Sequence, residues 1–434
     1  MKKITFNKTQ GGIANTPVNE DYFGGLYTFS DTLPAEWLPE IDAWVTLTAY
    51  VVGDKVYDTV SKNFYICKTA HTSAAAFITD IANWDVYVYT VKEFNRLIDV
   101  ENAGITKTNA DTKLLHYQFS EAFRIFPDAS ISTYIEKVPS GAYTFSGLYH
   151  LQKQSGGKLR QAIVIADKLA YDIVQLNSLQ TQIDLLSNEN MPIQVIYAAD
   201  FSANTSVALY PDILNLATPA PGVSVLNGQD GDAYGSTLSF SVDLGAVLGA
   251  LENCKVSQSP ADYGAFQYAS TELLNPAIAG IGLISQMTSA DVDALAAKGY
   301  MFFVNEVGTT GTFLNDSLTA TDKQVDDFYD IQINRVYHKA VRGMNKANLP
   351  LVNRELLLDP STGRMADRTI NYIKEKVSMP LYEMLKAKEF SGFSVYIDPT
   401  QNVQATSLVE ITVTMVANAT ARKYTIKTGF VPNL

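Results

Sequence analysis

The chain has 434 residues, 47% of them hydrophobic and 18% charged, with a formal net charge of −12. That length suggests roughly two to four domains, and the composition fits a globular core rather than a disordered chain. The acidic balance argues against a general nucleic-acid binder, because phosphate recognition relies on clustered Lys and Arg.

Residues 1–30 read as a leading arm. Ile4 and Phe6 alternate with Thr5 and Asn7, a short strand pattern, ahead of breaks at Gly11-Gly12 and Gly24-Gly25. Two lysines open the chain with no apolar stretch behind them, so no secretory signal is expected. No run of about eighteen apolar residues predicts a membrane span. Cys67 and Cys254 form neither a disulfide framework nor a zinc pattern, and a reducing cytosol is the expected folding compartment.

Residues 33–89 differ in composition, holding all three tryptophans, Trp37, Trp44 and Trp84, among short Tyr- and Val-rich strands. They read as a small all-β module inserted into a larger domain. The frame of Trp44, Tyr50, Gly53-Asp54-Lys55-Val56, Tyr65, Cys67, His71-Thr72-Ser73 and Trp84 resembles the small chitin-binding-type carbohydrate-binding modules. The resemblance implies glycan contact through Trp44, Tyr50 and Trp84, since exposed aromatics of such modules stack on sugar rings. The plain alternative is that these aromatics are the core of a module too small to have another.

From 91 to 290 helix and strand patterns alternate. VKEFNRLIDV opens the region, AIVIADKLA and PIQVIYAAD read as buried strands, and IVQLNSLQTQIDLL between them reads as a helix. GVSVLN and the apolar DLGAVLGAL follow, and the whole predicts an α/β middle domain with a partly parallel sheet.

A last domain is expected over 291–434. SADVDALAAKG predicts a helix with an acidic start and a Gly stop, and YMFFVNEV and TGTFLND predict a strand pair around Gly308 and Gly311. A long helix is predicted over about 322–348, with Thr321 and Gln324 as its capping box. Val325, Tyr329, Ile333, Val336, Ala340 and Met344 would form its apolar stripe. Arg335, Lys339, Arg342 and Lys346 would form a basic stripe beside it, with Asp322, Asp326, Asp327 and Asp330 at the opposite end. A second helix is predicted over 366–388, interrupted or restarted at Pro380. FSVYID, LVEITVTMVA and RKYTIKTGF close the chain as strands.

Residues suited to catalysis are sparse. His71, His116, His150 and His338 have no metal-like spacing, and no nucleophile elbow, phosphate loop or dinucleotide fingerprint is present. NGQDGDAYG (227–235) offers carboxylates and glycines but no closing Glu, so a turn is preferred to a calcium loop. Neither enzymatic activity nor a cofactor nor a metal is expected.

Three stretches, GYMFFVNEVGTTGTFLND (299–316), FYDIQINRVYHKAVR (328–342) and LLLDPSTGRMADRTINYIKEKV (356–377), followed by EFSGFSVYIDP and the final strands, resemble contractile tail sheath proteins of phages and related injection systems. The resemblance implies an α/β (α+β) architecture: a sheath core of mixed sheet plus helices, the middle domain and the inserted module. It implies a structural protomer that stacks as hexameric rings around an inner tail tube and contracts to drive it through a cell envelope. The implied partners are further copies, the tail tube, and the baseplate and tail terminator proteins, and the implied location is a virion tail assembled in the host bacterial cytoplasm. Terminal arms of such proteins add strands to neighbouring subunits. Lys3, Ile4, Thr5 and Phe6, and Tyr424, Thr425, Ile426 and Lys427, have the alternation this requires. An edge strand within one subunit is the alternative for both.

The basic stripe has two surviving explanations. Bases at a helix C-terminus complement its dipole, and a basic surface would meet acidic protein on the tube or another subunit. A carbohydrate-binding surface or adhesion protein, with a cell-surface glycan as partner, is the alternative function.

Overall fold

A strand covered on both faces carries apolar residues almost continuously, and the first of two compact units, Met1–His338, is built on such strands. In this computed structural model the described residues are 20–30, 37, 41–60, 63–139, 142–232, 242–422 and 425. The chain forms β1 (Phe23–Ser30), then a module of β2 (Ala49–Tyr50), β3 (Lys55–Asp58), β4 (Asn63–Cys67), β5 (His71–Thr72), α1 (Phe77–Asp80) and β6 (Trp84–Val86). It continues through β7 (Lys92–Phe94), α2 (Leu97–Asn102), α3 (Lys113–Ile125), β8 (Ser130–Lys137) and α4 (Ser146–Gln154). Next come β9 (Gln161–Ala170), α5 (Val174–Asn188), β10 (Gln194–Asp200) and β11 (Val223–Val225).

Six of these strands form one sheet in the order β11-β10-β9-β1-β8-β7, parallel except for β7. The α/β class and the strands at AIVIADKLA and PIQVIYAAD are as predicted. Phe23–Ser30 is a central strand of this sheet, with Tyr27 and Leu26 fully buried. Its glycines do not break it. A Cβ on Gly24 would lie 1.9 Å from Glu252 Oε1, and one on Gly25 would lie 3.0 Å from a Leu159 methyl. Helices press on both faces, so small residues are needed between them.

The unit is completed by β12 (Gly228–Asp230), α6 (Leu244–Asn253), β13 (Pro276–Ile278), β14 (Gly282–Leu283), α7 (Ser289–Ala297), β15 (Phe303–Val304) and β16 (Phe313–Leu314). The helix at SADVDALAAKG forms as predicted, with Thr288 Oγ1 accepting from Asp291 N at its start. The β15–β16 pair is likewise antiparallel as predicted. Helix α6 is buried from Leu244 to Glu252 and packs against both the sheet and α3. Burying Leu244, Val247, Leu248 and Leu251 contributes at most about 6–12 kcal/mol. Gly245 and Gly249 let α3 approach: Cβ atoms there would lie 2.0 Å from Gln118 O and 2.5 Å from Ala122 O.

The second unit is Lys339–Leu434, so the division falls at 338/339 rather than at 290/291. It lies within α8 (Ile331–Asn348), which is followed by α9 (Asp367–Lys386), β17 (Gly392–Tyr396), α10 (Val403–Thr406) and β18 (Thr412–Val416). Helix α9 runs unbroken through Pro380 and buries Ile373, Val377, Leu381 and Met384. Gly343 makes room for that proline, since a Cβ there would lie 2.8 Å from the Pro380 Cβ. β17 and β18 pair antiparallel. Of RKYTIKTGF only Arg422 and Thr425 are described, neither in a strand.

Gly245→Ala should force α3 and α6 apart at a backbone contact that cannot yield locally. We expect a loss of about 2–3 kcal/mol, read as a lower denaturant midpoint of the first unit by far-UV circular dichroism.

Candidate functional site

Helix α8 begins at Ile331, nine residues later than the sequence pattern suggests. The reason lies in the aspartates upstream. Asp322 Oδ1 accepts from Gln324 N at 2.7 Å and Asp326 Oδ1 accepts from Phe328 N at 2.9 Å. Such side-chain bonds offer the backbone turns in place of helix. Hence no capping box forms at Thr321, Val325 stands 69% exposed off the helix, and Asp322, Asp326 and Asp327 lie in a loop. Asp330 remains at the helix start, its carbonyl accepting from Asn334 N at 3.2 Å.

The basic stripe does not persist as one surface. Arg335 is only 2% exposed. Its guanidinium reaches the C-terminal end of α6, donating to Leu251 O at 2.9 Å, Cys254 O at 3.4 Å, Lys255 O at 3.3 Å and Cys254 Sγ at 2.8 Å. A cation there answers the helix dipole and its otherwise unpaired carbonyls. Burial pushes the Cys254 thiol up, with Arg335 pulling the other way. Burial likewise pushes the Glu252 carboxyl well up, against Ser130 N, which donates to it at 3.0 Å, and the charge of Arg335. Arg335 is therefore an internal lock within the first unit and is not available to a partner. In the second unit Lys339 Nζ pairs with the nearly buried Glu389 Oε1 at 2.6 Å, and Arg342 is half-buried. Lys346, in the last turn of α8, is exposed.

The inserted module has its own small core of Tyr50, Val56, Tyr65, Cys67, Phe77 and Trp84, with Trp44 packed against it. Trp84 is 3% exposed and its ring meets Tyr50, His71 and Phe77 at centroid distances of 5.0, 5.4 and 5.7 Å. Sugar stacking through Trp84 and Tyr50 is thereby corrected to core packing: neither ring face is open. Trp44 is half-buried, edge-on to Phe77 at 5.7 Å. Trp37 lies outside the module core. Its Nε1 donates to Ala103 O at 3.3 Å, with Lys92 Nζ 4.6 Å from its ring. Cys67, His71 and Asp80 come together nearby, yet His71 Nδ1 lies 2.8 Å from Thr69 O and is held there as a donor. That nitrogen cannot take a thiol proton, and burial pushes the Cys67 thiol up.

Doubly wound sheets bind ligands beyond the carboxyl ends of strands, where the strand order reverses. Here that place, between Thr28–Ser30, Ile135 and Ile165–Lys168, holds a cavity of about 30 Å³, room for about two waters. The principal titratable cluster lies elsewhere, around Tyr117. Tyr117 OH donates to Asp243 Oδ2 at 3.2 Å, while Arg124 Nε donates to Glu121 at 2.9 Å. Burial and the neighbouring Glu121 push the Asp243 carboxyl well up. Burial and Asp230 push Glu272 up to about 7. Asp230, Asp243 and Glu121 are each at most 2% exposed, so the cluster joins α3, α6 and β12 internally rather than facing a substrate. The sequence carries no spacing signal for it.

The β17–β18 ribbon is a two-stranded sheet, as β2–β5 and β15–β16 are. Among the described residues each of its strands has one partner only, leaving both outer edges without a third strand. Val413 and Met415 are half-buried, whereas Thr412, Thr414 and Val416 are exposed. A two-stranded ribbon is marginal alone and its edges invite a further strand. Lys3, Ile4, Thr5, Phe6, Tyr424, Ile426 and Lys427 lie outside the described residues, and Thr425 is exposed.

Residues 327–434, about a quarter of the chain, match the family described as DUF2586, C-terminal domain. No curated protein matches the chain. Among solved structures, a chain of the cryo-EM structure of the anti-feeding prophage (AFP) baseplate in contracted state is similar over 99% of this chain and 98% of that one. The TM-score is 0.54 at 13% identity. A sheath tail protein from Listeria innocua is similar over 76% of this chain and 91% of its own, with a TM-score of 0.43 at 9% identity. What this chain shares with the baseplate chain is the fold.

Arg335 and Glu272 each lead to a measurable expectation. Arg335→Met should leave the α6 carbonyls unanswered and cost about 2–4 kcal/mol, measured by denaturant unfolding of the purified chain. A carboxyl raised by folding contributes its stability fully below its unfolded pKa, about 4.3 for Glu. It loses that contribution as pH climbs through the folded value, here about 7 for Glu272. The melting temperature should therefore fall between about pH 5 and 8, and Glu272→Gln should flatten that slope.

Proposed function

We propose that this chain is a structural subunit of a contractile tail or injection apparatus, specifically a sheath protomer. The observation that carries the proposal is the fold likeness, over nearly the whole of both chains, to a chain of the contracted prophage baseplate. The open β17–β18 ribbon supports it, because strand addition by a neighbour's arm uses backbone hydrogen bonds at such an edge.

In this reading, copies stack as hexameric rings around an inner tube, and the terminal segments around Lys3–Phe6 and Tyr424–Lys427 join neighbouring subunits. Baseplate and tail terminator proteins bound the stack, and the particle assembles in the host bacterial cytoplasm. Contraction drives the tube through the target envelope, its energy stored in subunit contacts. Lys339, Arg342 and Lys346 remain the stripe residues for a tube or subunit contact, without Arg335. The adhesin alternative gains no support from a module whose Trp84 and Tyr50 are buried.

The test is assembly of the full chain on its inner tube protein, viewed by electron microscopy. Tubular sheaths are expected. Removing residues 417–434 should abolish them, whereas removing 41–89 should leave them intact. A chain that stays unassembled in the presence of its tube overturns the proposal.

A further inference from the structure

Charge is divided unevenly between the two units. Met1–His338 carries 20 Lys and Arg against 37 Asp and Glu, a net of −17, whereas Lys339–Leu434 carries 13 against 8, a net of +5. Each copy is thus strongly acidic over one part of its sequence and basic over the other. Two copies with unlike parts facing attract; with like parts facing they repel.

The basic unit contains a groove of about 340 Å³ between the segment after α8 and the first half of α9. Leu351, Leu356, Tyr372 and Ile373 supply apolar lining, and Arg354, Arg368 and one carboxylate, Glu355, complete its charged rim. Arg354 NH1 donates to Tyr372 OH at 2.8 Å and its guanidinium lies 5.2 Å from that ring, with Lys376 Nζ at 5.6 Å. Around it Leu349, Val352 and Leu357 are each about two-thirds exposed. Exposed apolar surface rimmed by charge marks a docking site. Its complement is an apolar residue flanked by carboxylates.

The acidic unit offers that complement in the loop that the aspartate turns carve out ahead of α8. Val325 is exposed between Asp322 and the pair Asp326-Asp327, and Lys323 in the same loop provides a counter-charge for Glu355. Another exposed valine, Val307, has a single neighbouring carboxylate, Glu306, against the two arginines of the groove.

We propose that the groove rimmed by Arg354 and Arg368 receives the 322–327 loop of a second copy of this chain, Val325 entering the apolar floor and Asp326 and Asp327 meeting the two arginines. The contact joins unlike surfaces, so it propagates from copy to copy. It rests on the reading of the chain as an assembling subunit, and it specifies the charged contact that accompanies strand addition.

The experiment is analytical ultracentrifugation of the full chain without tube protein, at about 50 mM and about 500 mM NaCl, where screening differs strongly. Wild type should self-associate, and high salt should weaken this about tenfold. Arg354→Glu/Arg368→Glu and Asp326→Lys/Asp327→Lys should each weaken association about tenfold or more, with far-UV circular dichroism confirming that each variant is folded at the temperature of the measurement. An equimolar mixture of the two variants should recover it, since each supplies the charge the other now needs. If a variant fails to fold, Gln and Asn replacements take the place of the reversals. Wild type that stays monomeric at low salt overturns the contact, as does a variant that associates normally or a mixture that does not recover. A salt-sensitive association with this rescue, but no sheath on the inner tube, overturns the sheath proposal and leaves the contact standing.

Discussion

A helix that ends inside a protein leaves carbonyl groups that water cannot reach. Helix α6 poses this problem, because it is buried along nearly its whole length between the central sheet and α3. Arg335 resolves it by placing a guanidinium on Leu251 O and Cys254 O. Other features follow from the same confinement: Gly24 gives way to the Glu252 carboxyl, and Gly245 and Gly249 give way to the α3 backbone. A chain that buries a polar-ended helix must spend small residues and one cation to do so.

That use of Arg335 changes the meaning of the basic run from Arg335 to Lys346. One charge belongs to the interior of the first unit, Lys339 is tied to Glu389, and Lys346 sits where a cation complements the end of α8. A second charge pattern in the chain is coarser than a stripe. It is the contrast between an acidic first unit and a basic second one. The place where doubly wound folds hold ligands is nearly filled here, and the buried carboxylates around Tyr117 join helices and strand to one another.

Much of the architecture was legible in the sequence because local pattern and burial agree. β9, β10 and α5 carry unbroken apolar or amphipathic runs, the β15–β16 pair is marked by the glycines of its turn, and α9 carries a clear helical period. β1 was not legible. Its Gly24-Gly25 looks like a break unless one knows that helices press on both faces of the strand. The start of α8 was misplaced because Asp322, Asp326 and Asp327 suit both a helix N-terminus and a side-chain-to-backbone turn, and the turn won. Pro380 looked like an interruption, but Gly343 on the preceding helix gives its ring space.

By itself the sequence determined the α/β class, the order of the main strands and helices, the aromatic make-up of the inserted module and the charge of each segment. Those properties depend on residues close together in the chain. Only the tertiary structure decided that Arg335 faces inward and that Trp84 and Tyr50 are a core and not a sugar platform. Each of those outcomes depends on which surface a side chain meets, and that surface comes from residues tens to hundreds of positions away.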